Sequence, residues 1–139
     1  MPSQDCVIFV VKPDGLSRTV GSCPLITLIR EFFDLAHLRI AFETEKRLTE
    51  EGVRKLYKIL NQPSEYGERW KTDVISHMCS GPVFWFLLYG DNAQDKAKLI
   101  KDFLRAGFTD RKTERGKIIE NIAHVVDLND FKDSIDVLY

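Results

Sequence analysis

"VIFVVKPDG", residues 7–15, decides the fold. Val7 to Val11 is an unbroken apolar run rich in β-branched residues, which reads as a buried strand. Lys12-Pro13-Asp14-Gly15 stops it with a strong turn signal. A second run of the same kind, VFWFLLY at 83–89, follows the breaker Ser80-Gly81-Pro82 and reads as another fully buried strand. Between the two, Leu25, Leu28, Ile29 and Phe32 recur at helical spacing, with Pro24 suited to a first turn. Leu38, Ile40 and Phe42 then alternate with Arg39, Ala41 and Glu43, the pattern of a strand with one wet face. Thr49-Glu50-Glu51 opens a second helix, with Val53, Leu56, Tyr57 and Leu60 on one side. Residues 61–67 are loop-like, and Trp70 to Met78 forms a short further helix. Beyond the second buried run, Asn92 can cap a long helix reaching about Leu104, with Ala97, Ile100 and Leu104 inward. Residues 106–116 read as a charged loop, 118–126 as the last strand, and Leu128, Phe131, Ile135 and Leu138 as the stripe of a closing helix.

The element order is therefore β-α-β-α-(α)-β-α-β-α. Two β-α-β halves in a short chain predict an α+β, ferredoxin-like sandwich: a four-stranded antiparallel sheet with helices packed on one face. A small doubly wound sheet is the competing topology. With 139 residues, no internal repeat and no linker-like stretch, a single domain over 1–139 is expected.

Twenty basic and 21 acidic residues nearly cancel, which disfavours binding to nucleic acid or to an anionic membrane. The longest apolar run, Val83 to Tyr89, is far too short to span a bilayer. Cys6, Cys23 and Cys79 are odd in number and form no C-x-x-C pair, so a reduced protein is expected rather than a disulfide scaffold or a zinc site. The polar start, MPSQD, does not read as a secretory leader, and a cytoplasmic location follows as the expectation.

The usual Gly-rich phosphate loops, a zinc-binding H-E-x-x-H and a G-x-S-x-G elbow are all missing from the sequence. Four features carry chemistry instead. Lys12 ends the first strand, where it can face a phosphate or simply be a solvated turn residue. His124, in "ENIAHVVD" (120–127), is a nucleophile, a base or a packed core ring. Ser80-Gly81-Pro82 alone is only a turn. Arg105, Arg111, Lys112, Arg115 and Lys117, with Lys98 on the preceding helix, make either a cationic clamp or a solvated charged loop.

In order along the chain, "VIFVVKPDG", "RLTEEGVRKLY", "VISHMCSGPV", "YGDNAQDKAKLI" and "NIAH-x-x-D" resemble the nucleoside diphosphate kinase family, from about residue 6 to about residue 134. The resemblance implies a phosphotransferase: the terminal phosphate of a nucleoside triphosphate passes to an enzyme histidine and then to a nucleoside diphosphate. It makes His124 that catalytic histidine. It makes Lys12, Tyr57 and Asn121 substrate-binding, with Tyr57 supporting the histidine and Asn121 contacting sugar and phosphate. Trp70 falls where a ring stacks on the base, and Val74 on a second apolar contact to it. Lys98 falls on a phosphate-binding arginine, and either Arg111 or Arg115 on the arginine of a phosphate-gripping Thr-x-Arg. Mg2+ is expected to travel with the nucleotide, with no protein metal site, and the chain to form a homo-oligomer.

Departures from the family pattern support a second reading, a catalytically weak or inactive nucleotide- or protein-binding module. The pattern Arg-Asn-x-x-His-Gly-Ser-Asp has Glu120 in place of arginine and Val125-Val126 in place of Gly-Ser. A steadying glutamate falls on Ile135, the loop before the last strand is shorter, and extra residues separate Tyr57 from Trp70. On a straight strand Asn121 and His124 would also face opposite ways, so the strand must bend or end between them.

Overall fold

A computed structural model describes residues 4–61, 63, 67–108, 122–126 and 130–139. The apolar runs form the two central strands of a four-stranded antiparallel sheet: β1 (Gln4–Val11) and β5 (Val83–Asp91), paired along their whole length from Gln4↔Asp91 to Val11↔Phe84. β4 (Arg39–Lys46) lies outside β5 and β6 (Ala123–Val125) outside β1, giving the order β4-β5-β1-β6. This is the ferredoxin-like α+β sandwich expected from the element order. A two-stranded ribbon, β2 (Thr19–Val20) with β3 (Cys23–Pro24), was not legible in the sequence.

The expectation of helices on one face is corrected. Val7, Phe9 and Val11 point into a core with α2 (Leu25–Leu35) and α5 (Ala93–Phe108). Ile8 and Val10 point the other way, into a core with α3 (Glu50–Leu56), α4 (Gly67–Met78) and α6 (Phe131–Leu138). Successive strand residues alternate faces, so a strand apolar at every position needs cover on both sides. Phe33 shows the first core's construction: its ring meets Phe9 and Phe86 edge-on, each at 5.1 Å between centroids.

Smaller features have local causes. Lys12-Pro13-Asp14-Gly15 is no simple turn; Pro13 opens the short helix α1 (Pro13–Leu16), where its missing N–H costs nothing. Asn92 precedes α5 with a left-handed φ of +54°, and α5 continues a full turn past Leu104 to Phe108. Thr49 caps α3 through Oγ1, which accepts from the Gly52 N–H at 3.1 Å. On the edge strand β4 the register passes from Ile40↔Leu88 to Phe42↔Leu87, so Ala41 is bulged out. Ile40 and Phe42 are consequently 37% and 39% exposed, and the clean inward face expected there is absent. The last strand was expected over 118–126; of its described residues, Ile122, with a φ of +72°, and Val126 stand outside the strand.

Candidate active site

The site is built where β1 and β6 lie side by side. Val10 pairs with His124, so the imidazole projects to the same side as Val10, toward α3 and α4. Ile122, just before β6, is clamped by the K-P-D-G segment. The Lys12 N–H donates to the Ile122 carbonyl at 2.7 Å, and the Ile122 N–H donates to Asp14 Oδ2 at 3.0 Å. Gly15 completes the clamp: a Cβ there would lie 2.8 Å from the Ile122 carbonyl oxygen. Left-handed backbone at a β-branched residue costs about 1–3 kcal/mol and persists only where neighbours over-determine it. The backbone is therefore not extended at Ile122, two residues before His124, whereas Asn121 lies outside the described residues.

The rest of β6 is tied down as firmly. Arg105 Nη2 donates to the Ala123 carbonyl at 2.7 Å. Gln94 Nε2 donates to the Val126 carbonyl at 3.0 Å, and the Val126 N–H to the Ile8 carbonyl at 3.1 Å.

Around His124 the structure gathers an aromatic ring and cations. The imidazole lies on the Tyr57 ring with centroids 4.2 Å apart and planes tilted by 35°. Lys12 Nζ stands 5.6 Å from the centroid of the same Tyr57 ring. Among the described residues, neither nitrogen of His124 has a hydrogen-bond partner. Burial, then the charges of Lys12, Arg105 and Lys101, lower the His124 pKa to about 3. The ring is therefore neutral at physiological pH, with a lone pair available. Lys12, only 3% exposed, is lowered to about 7 by burial first and by Arg105 next, with Asp14 opposing. Burial raises the Tyr57 phenol. A neutral nitrogen among partly desolvated cations is an environment that accepts an anionic, electrophilic group, of which a phosphoryl group is the obvious example.

The other sequence candidates fall in three sets. Trp70 and Val74 share α4; Val74 is 4% exposed, within the core on that face, and Trp70 packs against it while keeping part of its surface open. Lys98 is exposed on α5. Arg111, Arg115 and Asn121 lie outside the described residues. Sequence reasoning did not single out Asp14 or Lys101. Arg105 had been assigned to the basic set of the loop, whereas it stands on α5. Lys98, Lys101 and Arg105 recur at i, i+3 and i+7, a helical stripe that could have revealed them had the helix been extended. Nothing local marks Asp14, whose partners are remote in sequence.

Fold and site together define an α+β protein with a histidine stacked on a tyrosine and set among cations. No family model matches the chain. Individual relatives do. It is 30% identical over 121 residues to a nucleoside diphosphate kinase of Campylobacter fetus, covering 86% of this chain and 77% of that protein. It is also 30% identical over 136 residues to one of Hyperthermus butylicus, covering 94% and 85%. Among solved structures, the Halobacterium salinarum nucleoside diphosphate kinase in complex with CDP superposes with a TM-score of 0.71 at 22% identity, over 99% of this chain and 88% of that one. The Aquifex aeolicus enzyme gives 0.71 at 18% identity, over 99% and 96%. The chain belongs to the nucleoside diphosphate kinase family. It is a divergent, nucleoside diphosphate kinase-like enzyme of that family.

Proposed function

We propose that this chain, as one domain over 1–139, moves the γ-phosphate of a nucleoside triphosphate to a nucleoside diphosphate through a phosphohistidine on His124. The supporting observation is the His124–Tyr57 stack beside Lys12, where burial first and then the charges of Lys12, Arg105 and Lys101 keep the imidazole neutral. In the first half-reaction a ring nitrogen forms a P–N bond with the γ-phosphorus as its bond to the β-bridging oxygen breaks, and the departing diphosphate takes that electron pair. In the second, a terminal oxygen of another nucleoside diphosphate attacks the same phosphorus and the P–N bond breaks. Splitting the transfer in this way gives ping-pong kinetics.

Lys12 and Arg105 neutralise the migrating charge in this reading, and Lys98, Arg111, Arg115 and Asn121 complete the phosphate and sugar contacts. Trp70 supplies a flat face for the base, with Val74 as an apolar backing. A ring face accepts any base, which suits a tolerant site. The charges described around His124 are those of cations, and both Asp14 oxygens are engaged, by His77 and the Ile122 N–H. They offer no set of ligands for a resident magnesium ion, so Mg2+ would arrive as part of the substrate, on its phosphate oxygens. A cytoplasmic, homo-oligomeric protein completes this reading.

One observation favours a catalytically weak binding module. Val125 and Val126 are buried apolar residues where the family pattern has Gly-Ser, so no hydroxyl follows the histidine. Incubation with γ-labelled ATP separates the readings. Acid-labile, base-stable label that disappears in His124→Ala and chases onto added diphosphate supports the phosphotransferase. Nucleotide protection against melting without label supports the binding module.

A further inference from the structure

We infer that Asp14 and His77 are positioning residues that set the direction of the His124 ring from outside the site. The inference rests on the phosphohistidine reading. Each carboxylate oxygen of Asp14 has one partner: Oδ2 accepts from the Ile122 N–H at 3.0 Å, and Oδ1 lies 2.9 Å from His77 Nε2. His77 stands in the last turn of α4, the helix that also carries Trp70 and Val74. A continuous chain of contacts thus runs from α4 through His77, Asp14 and Ile122 into β6. The pair lines an open cavity of about 600 Å³ together with Ser17, Glu45 and Ser80, and none of the residues that line it is assigned to nucleotide.

Ile122 is the lever. Its left-handed φ of +72° is not one a β-branched residue keeps unaided. Asp14 engages its N–H and the Lys12 backbone its carbonyl, so removing the carboxylate leaves a strained amide with no acceptor. The chain then relaxes at Ile122, two residues before His124. Displacement of a reacting group by about 1 Å can cost on the order of a hundredfold in rate. His77 acts one step further out, by fixing the carboxylate that fixes Ile122. It touches neither nucleotide nor His124 in this scheme, so its loss slows transfer without weakening substrate binding.

The test is single-turnover phosphorylation of His124 by γ-labelled ATP, followed at saturating nucleotide below the melting point of each variant, with nucleotide affinity measured in parallel. His77→Ala should slow labelling about tenfold with unchanged affinity. His77→Gln, whose amide can still donate to the carboxylate, should recover most of the rate. Asp14→Ala should be slower still, and adding His77→Ala to it should cost almost nothing more, because both act through one carboxylate. Where Asp14→Ala does not fold, Asp14→Asn is used, since its amide oxygen can still accept from Ile122. Wild-type labelling with an unchanged rate in His77→Ala overturns the positioning role alone, as does equal slowing in His77→Ala and His77→Gln. An unlabelled wild type overturns the phosphohistidine reading and this inference with it.

Discussion

The two faces of the sheet are built differently. Toward α2 and α5 the core is closed: Phe33 is locked edge-on between Phe9 and Phe86, in one buried cluster with Leu25, Ile29, Ala97 and Leu104. Toward α3, α4 and α6 the core is as well buried at its centre, around Trp85 and Met78, but its rim carries Tyr57, His124 and Lys12. The core of the first face adds stability, and chemistry enters from that side only through Arg105 and Lys101, which α5 sends toward β6. The second has its chemistry only at the end of β1 and β6, where the close-packed interior gives way to cations. The same strand, β1, feeds both, with Phe9 turned into one core and Val10 into the other beside His124. If this division holds, substitutions on the first face should lower stability and spare turnover, and those on the second rim should do the reverse.

The largest effect belongs to the rim. His124→Asn keeps a planar polar group of similar bulk but no phosphoryl-accepting nitrogen. Transfer should fall by at least about 10³-fold, with little change in melting temperature, because the replaced ring is already partly solvent-facing. A coupled nucleotide assay beside a thermal melt checks both halves. Substantial residual transfer would remove His124 from the chemistry. The mirror experiment is Phe33→Ala. Deleting a fully buried ring with two edge contacts should destabilise the fold by about 3–5 kcal/mol. The activity of the molecules that stay folded in the cold should be unchanged. Loss of turnover without loss of stability there would mean that the two faces are not separable.

Lys12 tests the rim more finely, because it is buried and charged at once. Its folded pKa of about 7 lies below the ordinary 10.5, so between those values the unfolded chain binds more protons than the folded one. The stability it contributes is complete above pH 10.5 and is lost as pH falls toward 7. Wild type should thus gain stability to denaturant from pH 7 to pH 10 relative to Lys12→Met, whose slope lacks this group. His124 has the same sign in a lower window: its contribution is complete above pH 6.5 and is lost as pH falls toward 3. In catalysis, the protonated lysine is the useful form. The kcat/KM profile should fall on an alkaline limb near pH 7 that disappears in Lys12→Arg, and Lys12→Ala should cost about 10²–10³-fold.

The sheet was legible because its signals are local. VIFVV and VFWFLLY announce buried strands by unbroken apolarity, and the helices between them repeat with a period near four. That same unbroken apolarity should have ruled out helices on a single face, since no residue of either run can face water. His124 was noticed as a histidine ending an apolar strand, and only the family likeness gave it a role. The parts that hold it were not. Asp14 meets His77 at a separation of 63 residues and Ile122 at 108, and no period or motif joins such distances. Arg105 was read as part of a loop because the charged stretch after Leu104 lacks an apolar period, although α5 carries on through it to Phe108. The bulge at Ala41, which spoils the alternation of β4, depends on pairing with β5 and leaves no mark in a strand read alone.

Trp70 offers the smallest and most discriminating effect, because it belongs to both descriptions. It packs against the core of the second face, yet part of its surface remains open in the first turn of α4. As an anchor, Trp70 contributes buried area, and any large apolar residue would partly serve. As a base platform, it contributes a π-face, and only an aromatic ring would serve. Trp70→Phe and Trp70→Leu separate the two, since they remove comparable bulk from the core but only one keeps a face. Stacking is worth about 1–3 kcal/mol per base, so Trp70→Leu should weaken nucleoside diphosphate binding by roughly tenfold, whereas Trp70→Phe should come within a few-fold of wild type. Calorimetric titration with purine and pyrimidine diphosphates reads this directly. Equal affinities in the two variants, with equal losses of melting temperature, would return Trp70 wholly to the core.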